Sequence, residues 1–306
     1  MKILVTGSRG FLGRVLCKSL TDQGHEVTGV HTGNCDLTRP NPLTGFDPVS
    51  FNQIYHLAAW TQAGDFCLKH PGEQWIINQK INTAVLEWWR DKQPEAKLII
   101  MGTSCAYAEG SDLIETEYMV GEPVESLYTY AMTKRMLFQG ARALNKQYGM
   151  SYLCAVPSTL YGPGYHTDGR QMHFIFDLIR KILRAKLFGE TATLWGDGNQ
   201  LRELAHVHDF VRALLAINAQ RSNDIVNIGA GREYTIKEFA QKICDYVDYD
   251  FKKIEFDTSR YVGAKSKCLN VEKMQSLLPD FDYTPLSSGL NATIDWFFEN
   301  PDVLSS

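Results

Sequence analysis

The chain has 306 residues, of which 44% are hydrophobic and 22% are charged, and its formal net charge is −4. These values are typical of a globular protein with one large or two modest domains and a sizeable core. The slightly acidic balance argues against nucleic acid or an anionic membrane surface as a partner. No apolar run approaches the roughly 18–20 residues of a membrane span, and a strand begins at residue 2, so we expect no signal peptide.

Cysteine usage indicates the redox environment. The chain has seven cysteines, an odd number, and no two of them form a Cys-x-x-Cys pair. This pattern favours reduced thiols in the cytoplasm over a disulfide framework or a zinc site. We therefore expect a cytoplasmic protein without a bound metal.

Apolar runs alternate with helical patterns over the first half of the chain. The apolar spacing predicts helices over residues 11–23, 79–92 and 130–148. Strands are predicted between them, at Lys2–Thr6, Glu26–Val30, Gln53–Leu57, Lys97–Met101 and Tyr152–Val156. Such alternation predicts an α/β fold with a Rossmann-like, doubly wound parallel sheet and helices on both of its faces.

After Pro157 the pattern is less regular and predicts a smaller, mixed α/β domain. Helices are expected over residues 171–185, 207–219, 235–247 and 288–298, and short strands near 193–195 and 225–228. We assign residues 1–163 and about 203–222 to a dinucleotide-binding domain, and 164–202 and about 223–306 to a substrate-binding domain. The crevice between the two is the expected site.

Three glycines follow the first strand at intervals of three residues: Gly7, Gly10 and Gly13. A bound dinucleotide requires a tight turn, close approach of the backbone to its pyrophosphate, and a helix N-terminus directed at that charge. Glycine permits the first two because it has no Cβ atom. Since this turn joins a strand to a helix, as the motif requires, it predicts a dinucleotide cofactor.

Tyr130 and Lys134 stand four residues apart in a predicted helix and therefore share one face. A lysine ammonium at that position is expected to lower the pKa of the phenol, which lets it exchange a proton with an alcohol or sugar oxygen. Tyr128 is a rival for this role, but it stands six residues from Lys134 and off that face. A hydroxyl-bearing strand end at Thr103 precedes this pair.

Together these motifs resemble the extended short-chain dehydrogenase/reductase family of NAD-dependent epimerases and dehydratases. The resemblance implies that Thr103, Tyr130 and Lys134 surround the reacting oxygen of a nucleotide sugar, which the second domain would hold. It covers essentially the whole chain, with further matches at His56–Ala59, Asn78, Tyr161–Pro163, Trp195–Gly198, Arg202–Leu204, His206–Asp209 and Asn227–Gly229.

Within that family, the chain is most similar to the GDP-L-fucose synthases. Thr103–Tyr107 matches their Ser-Ser-Cys-x-Tyr strand end, and His173 stands eleven residues beyond the Gly162 of a Tyr-Gly-Pro motif. The likeness implies that Cys105 is the base and His173 the acid that invert C3 and C5 of a 4-keto sugar. A nearby imidazolium, or the positive end of a bound cofactor, would lower the pKa of the thiol.

The same resemblance implies that the cofactor then delivers hydride to C4 and that Tyr130 gives its proton to the oxygen. The pathway implied is deoxysugar or heptose biosynthesis for surface polysaccharide. His166 is a rival acid, seven residues from His173. The alternative function is a 4-reductase, a 4-dehydrogenase, or a 4-epimerase with tightly bound NAD, none of which inverts C3 or C5.

The predicted cofactor is NADP, with NAD as the alternative. NAD-specific folds usually place Asp or Glu at the end of the second strand, where this chain has His31. Arg9 and His31 would accommodate the 2′-phosphate, and Asp36 would contact the adenine. The predicted cofactor contacts are Gly7, Arg9, Gly10, Phe11, Leu12, Gly13, His31, Asp36, Leu37, Leu57, Ala58, Ala59, Tyr130, Lys134 and Pro157.

Four residues are expected to bind the substrate: Ser104, Trp195, Arg202 and Lys267. By resemblance, Arg202 contacts the diphosphate, although a surface salt bridge with Glu203 would also explain it. Lys267 either reaches a phosphate or is a solvated loop lysine.

The loop at Gly164–Arg170 departs from the pattern of the GDP-L-fucose synthases. Because that loop would face the sugar, a GDP-linked heptose or another deoxyhexose is an alternative to the 4-keto-6-deoxymannose of fucose synthesis. The expected partners are thus a nucleotide sugar, GDP-linked by resemblance, and a second copy of the chain in a homodimer.

Overall fold

The computed structural model describes residues 1–63, 65–259 and 265–305. Over those ranges the strands form a six-stranded sheet, a three-stranded sheet and a two-stranded sheet. The strands are β1 Lys2–Thr6, β2 Glu26–Val30, β3 Gln53–His56, β4 Lys97–Met101, β5 Tyr152–Pro157, β6 Thr159–Tyr161, β7 Thr193–Trp195, β8 Leu201–His206, β9 Asp224–Ile228, β10 Glu233–Thr235 and β11 Glu255–Asp257.

Helices alternate with these strands along the chain. Among the described residues, none of the helices is long and apolar enough to cross a bilayer. The helices are α1 Phe11–Asp22, α2 Phe66–Lys69, α3 Pro71–Lys92, α4 Tyr128–Tyr148, α5 Phe174–Phe188, α6 Val207–Gln220, α7 Ile236–Val247, α8 Glu272–Leu277, α9 Leu286–Glu299 and α10 Asp302–Ser305.

The six-stranded sheet is parallel throughout and has the order β2-β1-β3-β4-β5-β9. Strand β2 lies on one side of β1, and the later strands, from β3 onward, are added on the other side. Ligands bind such sheets beyond the carboxyl ends of the strands, at the point where the order reverses. That point lies between β1 and β3, and the predicted fold class is confirmed.

The smaller part of the molecule has its own core. Its sheets are β10-β8-β6, in which β8 runs antiparallel to β10 and parallel to β6, and β11-β7, which is parallel. Helices α5, α7 and α9 surround a core that is separate from that of the large sheet and includes Ile175, Phe176, Ile179, Ile182, Phe239, Ile243, Ile294 and Phe297.

Local sequence accounts for two helix boundaries. Helix α7 begins with a capping box, because Thr235 accepts from the backbone N–H of Glu238 while the Glu238 carboxylate accepts in return. Helix α4 ends at Gly149, whose φ of +74° suits a residue without Cβ.

Two predicted helix starts were wrong. Helix α3 begins at Pro71 rather than at residue 79, because proline suits the first helical position and the exposed Trp75 and Ile76 break the apolar pattern there. Helix α5 begins at Phe174 rather than at residue 171. The residue before it, His173, has extended backbone angles and is the N-cap.

The assignment of residues 223–228 to the second domain was also wrong. Strand β9 pairs in parallel with β5 and completes the large sheet. The chain also returns to this first core later, at Leu269, Val271 and Met274. Periodicity gave no indication of this return, because both cores are built from similar apolar residues.

Candidate active site

The glycine turn after β1 fits the close approach of a dinucleotide. Gly7 has φ +69°, and a Cβ atom there would lie 2.9 Å from the backbone nitrogen of Ala58. A Cβ atom at Gly13 would overlap the carbonyl oxygen of Gly7. The backbone N–H of Gly10 donates to that same oxygen over 2.9 Å, which closes the turn.

Helix α1 presents its first turn at this point. Its N-cap is Gly10, which has no side chain with which to cap the helix, so among the described residues no N-cap side chain accepts from the N–H groups of the first turn. Uncapped N–H groups and the helix dipole together suit an anion such as a pyrophosphate. The predicted contacts in this turn therefore lie together and fit the cofactor.

The end of β2 carries the side chains expected near the adenosine ribose. An added Cβ at Gly33 would lie 3.1 Å from the His31 ring and 3.9 Å from Arg9 Nη1, so both side chains border one small area. Asp36 is exposed, and its oxygens accept from Thr38 and from Arg39. These bonds hold the pKa of Asp36 below its usual value.

The ends of β3 and β5 lie at the same carboxyl edge of the large sheet. Leu57, Ala58 and Ala59 are partly exposed, and the N–H of Ala58 donates to Thr6 Oγ1 over 3.2 Å. The buried Asn78 exchanges two hydrogen bonds with the backbone of Trp60 and so fixes this segment. Of the other predicted cofactor contacts, Pro157 ends β5, and Leu37 is buried beyond β2.

At the end of β4 the backbone makes a single 3₁₀ turn over Ser104–Ala106. Thr103 is buried, and its Oγ1 accepts from the N–H of Cys105 over 3.2 Å. The same threonine hydrogen-bonds to the Tyr130 phenol. The hydroxyl, the thiol and the phenol are thus together, and Ser104 is partly exposed next to them.

Tyr130 and Lys134 share a face of α4, with Lys134 Nζ 6.0 Å from the Tyr130 ring centroid. Burial lowers the pKa of Lys134 to about 8. Burial and the neighbouring Cys105 raise the pKa of Tyr130, while the bond to Thr103 opposes the rise. The phenol pKa is therefore raised here, opposite to the lowering expected from the lysine, because desolvation is the largest effect on it.

Tyr128, the rival phenol, lies elsewhere on α4. It lines a shallow outer groove with Pro71, Trp75 and Met132, between the ends of α3 and α4. Tyr130 is the tyrosine that bonds to Thr103.

Lys267 donates from Nζ to Cys105 Sγ over 2.9 Å. Burial acts to raise the pKa of the Cys105 thiol, but the charge and hydrogen bond of Lys267, together with hydrogen bonds from Thr103 and the backbone, outweigh it, and the net pKa is lowered. The prediction that Lys267 reaches a phosphate had not anticipated this contact. The group that favours the thiolate is thus a lysine ammonium, whereas the sequence had suggested an imidazolium or the cofactor.

His173 is exposed to solvent, yet enough protein surrounds it to affect its ionisation. Desolvation, His166 and Lys267 all lower its pKa well below the usual value. The Tyr165 phenol oxygen accepts from its backbone N–H over 3.4 Å. Lys267 thus acts electrostatically on both the Cys105 thiol and the His173 imidazole.

His166, the rival acid, is close enough to lower the pKa of His173. Its Nδ1 lies 3.5 Å from Asp168 Oδ1, and Asp168 also accepts from Arg170. Burial and Arg170 lower the pKa of His166. Asp168 therefore connects two other side chains of the Gly164–Arg170 loop.

The other predicted substrate contacts lie on the smaller sheets. Arg202 is partly buried and donates to the Leu201 carbonyl over 2.7 Å. Trp195 is 55% exposed at the end of β7, with Lys181 Nζ 5.5 Å from its ring centroid. The salt bridge of Arg202 with Glu203 is not among the ion pairs of the described residues, because neighbouring side chains on β8 point to opposite faces.

The sequence gave no indication of two acidic residues that hold the Lys267 loop. Glu203 is buried and accepts from the N–H groups of Gly231 and Leu269 over 2.8 and 2.9 Å. Glu233 accepts from the N–H of Lys267 over 2.7 Å. No strand was predicted over residues 201–206, and Arg202 precedes Glu203, so no apolar pattern marked this glutamate as buried.

The comparisons with known proteins agree with this geometry. The model of the NAD dependent epimerase/dehydratase family matches residues 3–229. The chain is 29% identical to a GDP-L-fucose synthase from Dictyostelium discoideum, over 97% of its own length and 95% of the relative's. It is 26% identical to a GDP-L-fucose synthase from Escherichia coli (strain K12), over 98% of each chain.

Among solved structures, a GDP-L-fucose synthetase from Naegleria fowleri matches with a TM-score of 0.88 at 25% identity, covering 98% of this chain and 94% of that one. The resemblance predicted from the sequence motifs is confirmed, and the chain is an NAD(P)-dependent enzyme of the oxidoreductase and epimerase type. With its glycine turn, its paired tyrosine and lysine and its matching fold, the chain belongs to the NAD dependent epimerase/dehydratase family.

Proposed function

We propose that this chain is an NADP-dependent epimerase/reductase of a GDP-linked 4-keto sugar. The observation that carries the proposal is the Cys105 thiol, which lies beside Thr103 and Tyr130 and in contact with the Lys267 ammonium. A dehydrogenase that acts only at C4 needs the Thr103 hydroxyl and the Tyr130 phenol but has no need of a thiol. A thiol in that position, with a lowered pKa, has the properties of a carbon-acid base.

In the first stage, the hydrogens on C3 and C5 are acidic because each is alpha to the C4 carbonyl. The Cys105 thiolate removes one of them, while the Thr103 and Tyr130 hydroxyls stabilise the negative charge on O4. His173 then returns a proton to the opposite face, which inverts the centre. The diphosphate of the substrate would favour the imidazolium form of His173, since a nearby anion raises the pKa of an imidazole.

In the second stage, C4 is reduced. When bound, NADPH supplies the hydride for that carbon. Tyr130 gives its proton to O4, and the buried Lys134 lies 6.0 Å from its ring, where an ammonium stabilises the phenolate that forms. Arg9 and His31, which border one area at the end of β2, support the assignment of a 2′-phosphate and thus of NADP.

The GDP linkage is supported by the relatives, whose names specify GDP-L-fucose synthases. We propose that Arg202 contacts the diphosphate and that Trp195 and Ser104 contact the remainder of the nucleotide sugar. The product would serve deoxysugar or heptose biosynthesis for surface polysaccharide. The loop at Gly164–Arg170 would decide between a deoxyhexose and a heptose.

Two further proposals concern the setting of the reaction. A base that works as a free thiolate requires a reducing compartment, which supports a cytoplasmic enzyme. Trp75 and Ile76 on α3 and Met136 on α4 are apolar residues that are each between 40% and 56% exposed. This apolar area supports the predicted homodimer.

One observation favours the second candidate, an enzyme that acts only at C4. The lowered pKa of His173 keeps its imidazole neutral near pH 7, and a neutral imidazole is a poor proton donor. On that reading, the chain is a nucleotide-sugar 4-reductase, a 4-dehydrogenase, or a 4-epimerase with tightly bound NAD. Cys105 and His173 would then contact the sugar without exchanging its protons.

Hydrogen exchange with solvent separates these functions. GDP-4-keto-6-deoxymannose incubated with the protein in D₂O without reductant should acquire deuterium at C3 and C5, as read by mass spectrometry and NMR. Cys105→Ser should slow this exchange by roughly 100-fold or more, the usual contribution of a general base. Cys67→Ser removes a neighbouring buried thiol and is the matched control, which should exchange normally.

The outcomes are distinct. If Cys105→Ser exchanges both positions at the wild-type rate, the thiol has no part in the mechanism. If the wild-type protein reduces C4 of the substrate but exchanges neither position, the second candidate replaces the first.

A further inference from the structure

The contact between Lys267 and Cys105 joins two distant parts of the chain. Cys105 follows β4 of the large sheet, and Lys267 lies 162 residues later, in the segment between β11 and α8. Lys267 is half-buried, and its Nζ lies 2.9 Å from Cys105 Sγ. At that distance, a positive charge acts mainly on the ionisation of the sulfur.

The segment with Lys267 is held at several points. Glu233 on β10 accepts from the N–H of Lys267 over 2.7 Å and from the Ser266 hydroxyl over 2.7 and 2.9 Å. On β8, the N–H of Leu201 donates to the Lys265 carbonyl over 2.8 Å. These bonds fix the backbone on both sides of the lysine, which limits the positions its side chain can reach.

Buried Glu203 provides a second attachment on β8. One of its carboxylate oxygens accepts from the N–H of Leu269 over 2.9 Å, and the other accepts from Gly231 over 2.8 Å. A Cβ atom at Gly229 would overlap the carboxylate, so the backbone there leaves space for it. The lysine is therefore placed by the three-stranded sheet, although its side chain contacts the residue that follows β4 of the large sheet.

The groups that face Cys105 from the other elements do not replace this charge. Tyr130 on α4 and Cys67 on α2 cannot carry a positive charge, and burial, which raises the pKa of each, keeps both neutral. His173, at the start of α5, is within electrostatic range of Lys267 and is kept neutral. Among the described residues that these contacts identify around the thiol, Lys267 is the cation.

We propose that Lys267 is a positioning residue that holds Cys105 as a thiolate, and that Glu233 and Glu203 fix the segment that presents it. The proposal deepens the proposed function, because it explains how the base of the epimerisation is ionised before the sugar binds. It also differs from the expectation that Lys267 binds a phosphate. A phosphate contact would change substrate affinity, whereas the proposed role changes the ionisation of a thiol.

The test is the pH dependence of Cys105 alkylation in the full-length protein, without substrate or cofactor. Iodoacetamide reacts with the thiolate, so the rate at each pH reports the ionised fraction. Because all seven cysteines are free, the Cys105 peptide is quantified separately by mass spectrometry. In Lys267→Met the apparent pKa should rise by at least one unit, and the rate near pH 7 should fall about tenfold.

Three variants complete the design. Lys265→Met removes an exposed lysine two residues away and should react like the wild type. Lys267→Arg keeps the charge and should retain part of the low pKa. Glu233→Gln should raise the pKa by a smaller amount, because the segment is held less firmly, and it tests the idea if Lys267→Met fails to fold.

The results separate this proposal from the function on which it rests. If Lys267→Met and wild-type Cys105 have the same alkylation profile, the proposal is wrong, whatever the enzyme does. If the profile shifts but no GDP-4-keto sugar exchanges at C3 or C5, the proposal stands and the epimerase function fails. If Lys267→Met raises only the KM for substrate and leaves the alkylation profile unchanged, the lysine is a phosphate contact.

Discussion

The two halves of the candidate site are assembled in different ways. The cofactor half is centred on seven consecutive residues, Gly7–Gly13, whose shape depends on backbone atoms and on the absence of Cβ. The proposed catalytic half combines Cys105, Tyr130, His173 and Lys267, which come from distant parts of the chain: the turn after β4, helix α4, the N-cap of α5 and the segment between β11 and α8. The first half is therefore sensitive to local geometry, and the second is sensitive to how the two cores are placed.

A glycine can be replaced by alanine in both halves of the site, at Gly13 and at Gly229. The largest effect is expected at Gly13, in the turn after β1. In Gly13→Ala the new Cβ would meet the Gly7 carbonyl and the Ser8 backbone, neither of which can rotate away. We expect dinucleotide affinity to fall roughly 100-fold, equivalent to about 2.7 kcal/mol, within the usual cost of overpacking. Calorimetric titration with NADPH measures this effect.

Gly45→Ala is the matched control, because an added Cβ there meets nothing within 4 Å. It should bind the cofactor like the wild type. Normal affinity in Gly13→Ala would mean that the dinucleotide does not approach this turn.

An intermediate effect is expected from the ionisation of Lys134, which lies between the two halves. Burial lowers its pKa to about 8, whereas the raised pKa of Tyr130 keeps the phenol protonated over the same range. If C4 reduction requires the ammonium, its rate should fall as the pH rises through 8. Between pH 7 and pH 9 the fall should be about tenfold.

Single-turnover reduction at saturating substrate and cofactor is the appropriate measurement. In Lys134→Arg the side chain stays charged from pH 7 to pH 9, so the reduction rate should no longer fall over that range, although it should be lower overall. A wild-type rate that stays constant from pH 7 to pH 9 would show that this ionisation does not control the step.

The smallest effect is expected from Gly229→Ala, which tests the distant half. Its Cβ would overlap the Glu203 carboxylate, a side chain that can move in part. The bond from Glu203 to Leu269 would weaken and Lys267 would lose some of its placement, so Cys105 alkylation near pH 7 should slow about threefold. Cofactor affinity should not change, in contrast to Gly13→Ala.

Glu203→Asp is a useful companion, because it retains a carboxylate with a shorter reach. Both variants should slow Cys105 alkylation and leave cofactor affinity unchanged. If Gly229→Ala weakened cofactor binding as strongly as Gly13→Ala, the separation of the two halves would be wrong.

Local sequence determined the parts of the molecule that depend on near neighbours. The glycine spacing after β1 predicted the turn, and the four-residue spacing of Tyr130 and Lys134 placed both on one face of α4. Strand and helix alternation predicted the parallel sheet, because each element shows its own apolar period. Recognition of the family depended on these local motifs.

The tertiary structure decided what depends on distant residues. It placed β9 in the large sheet, Glu203 in the interior instead of against Arg202, and Lys267 against the Cys105 thiol. None of these follows from spacing, since a charged residue reads as solvent-exposed until its partner is known. The ionisation of Cys105 and Tyr130 was likewise set by burial and by neighbours from other elements, because desolvation and Coulomb interactions depend on distance in space rather than along the chain.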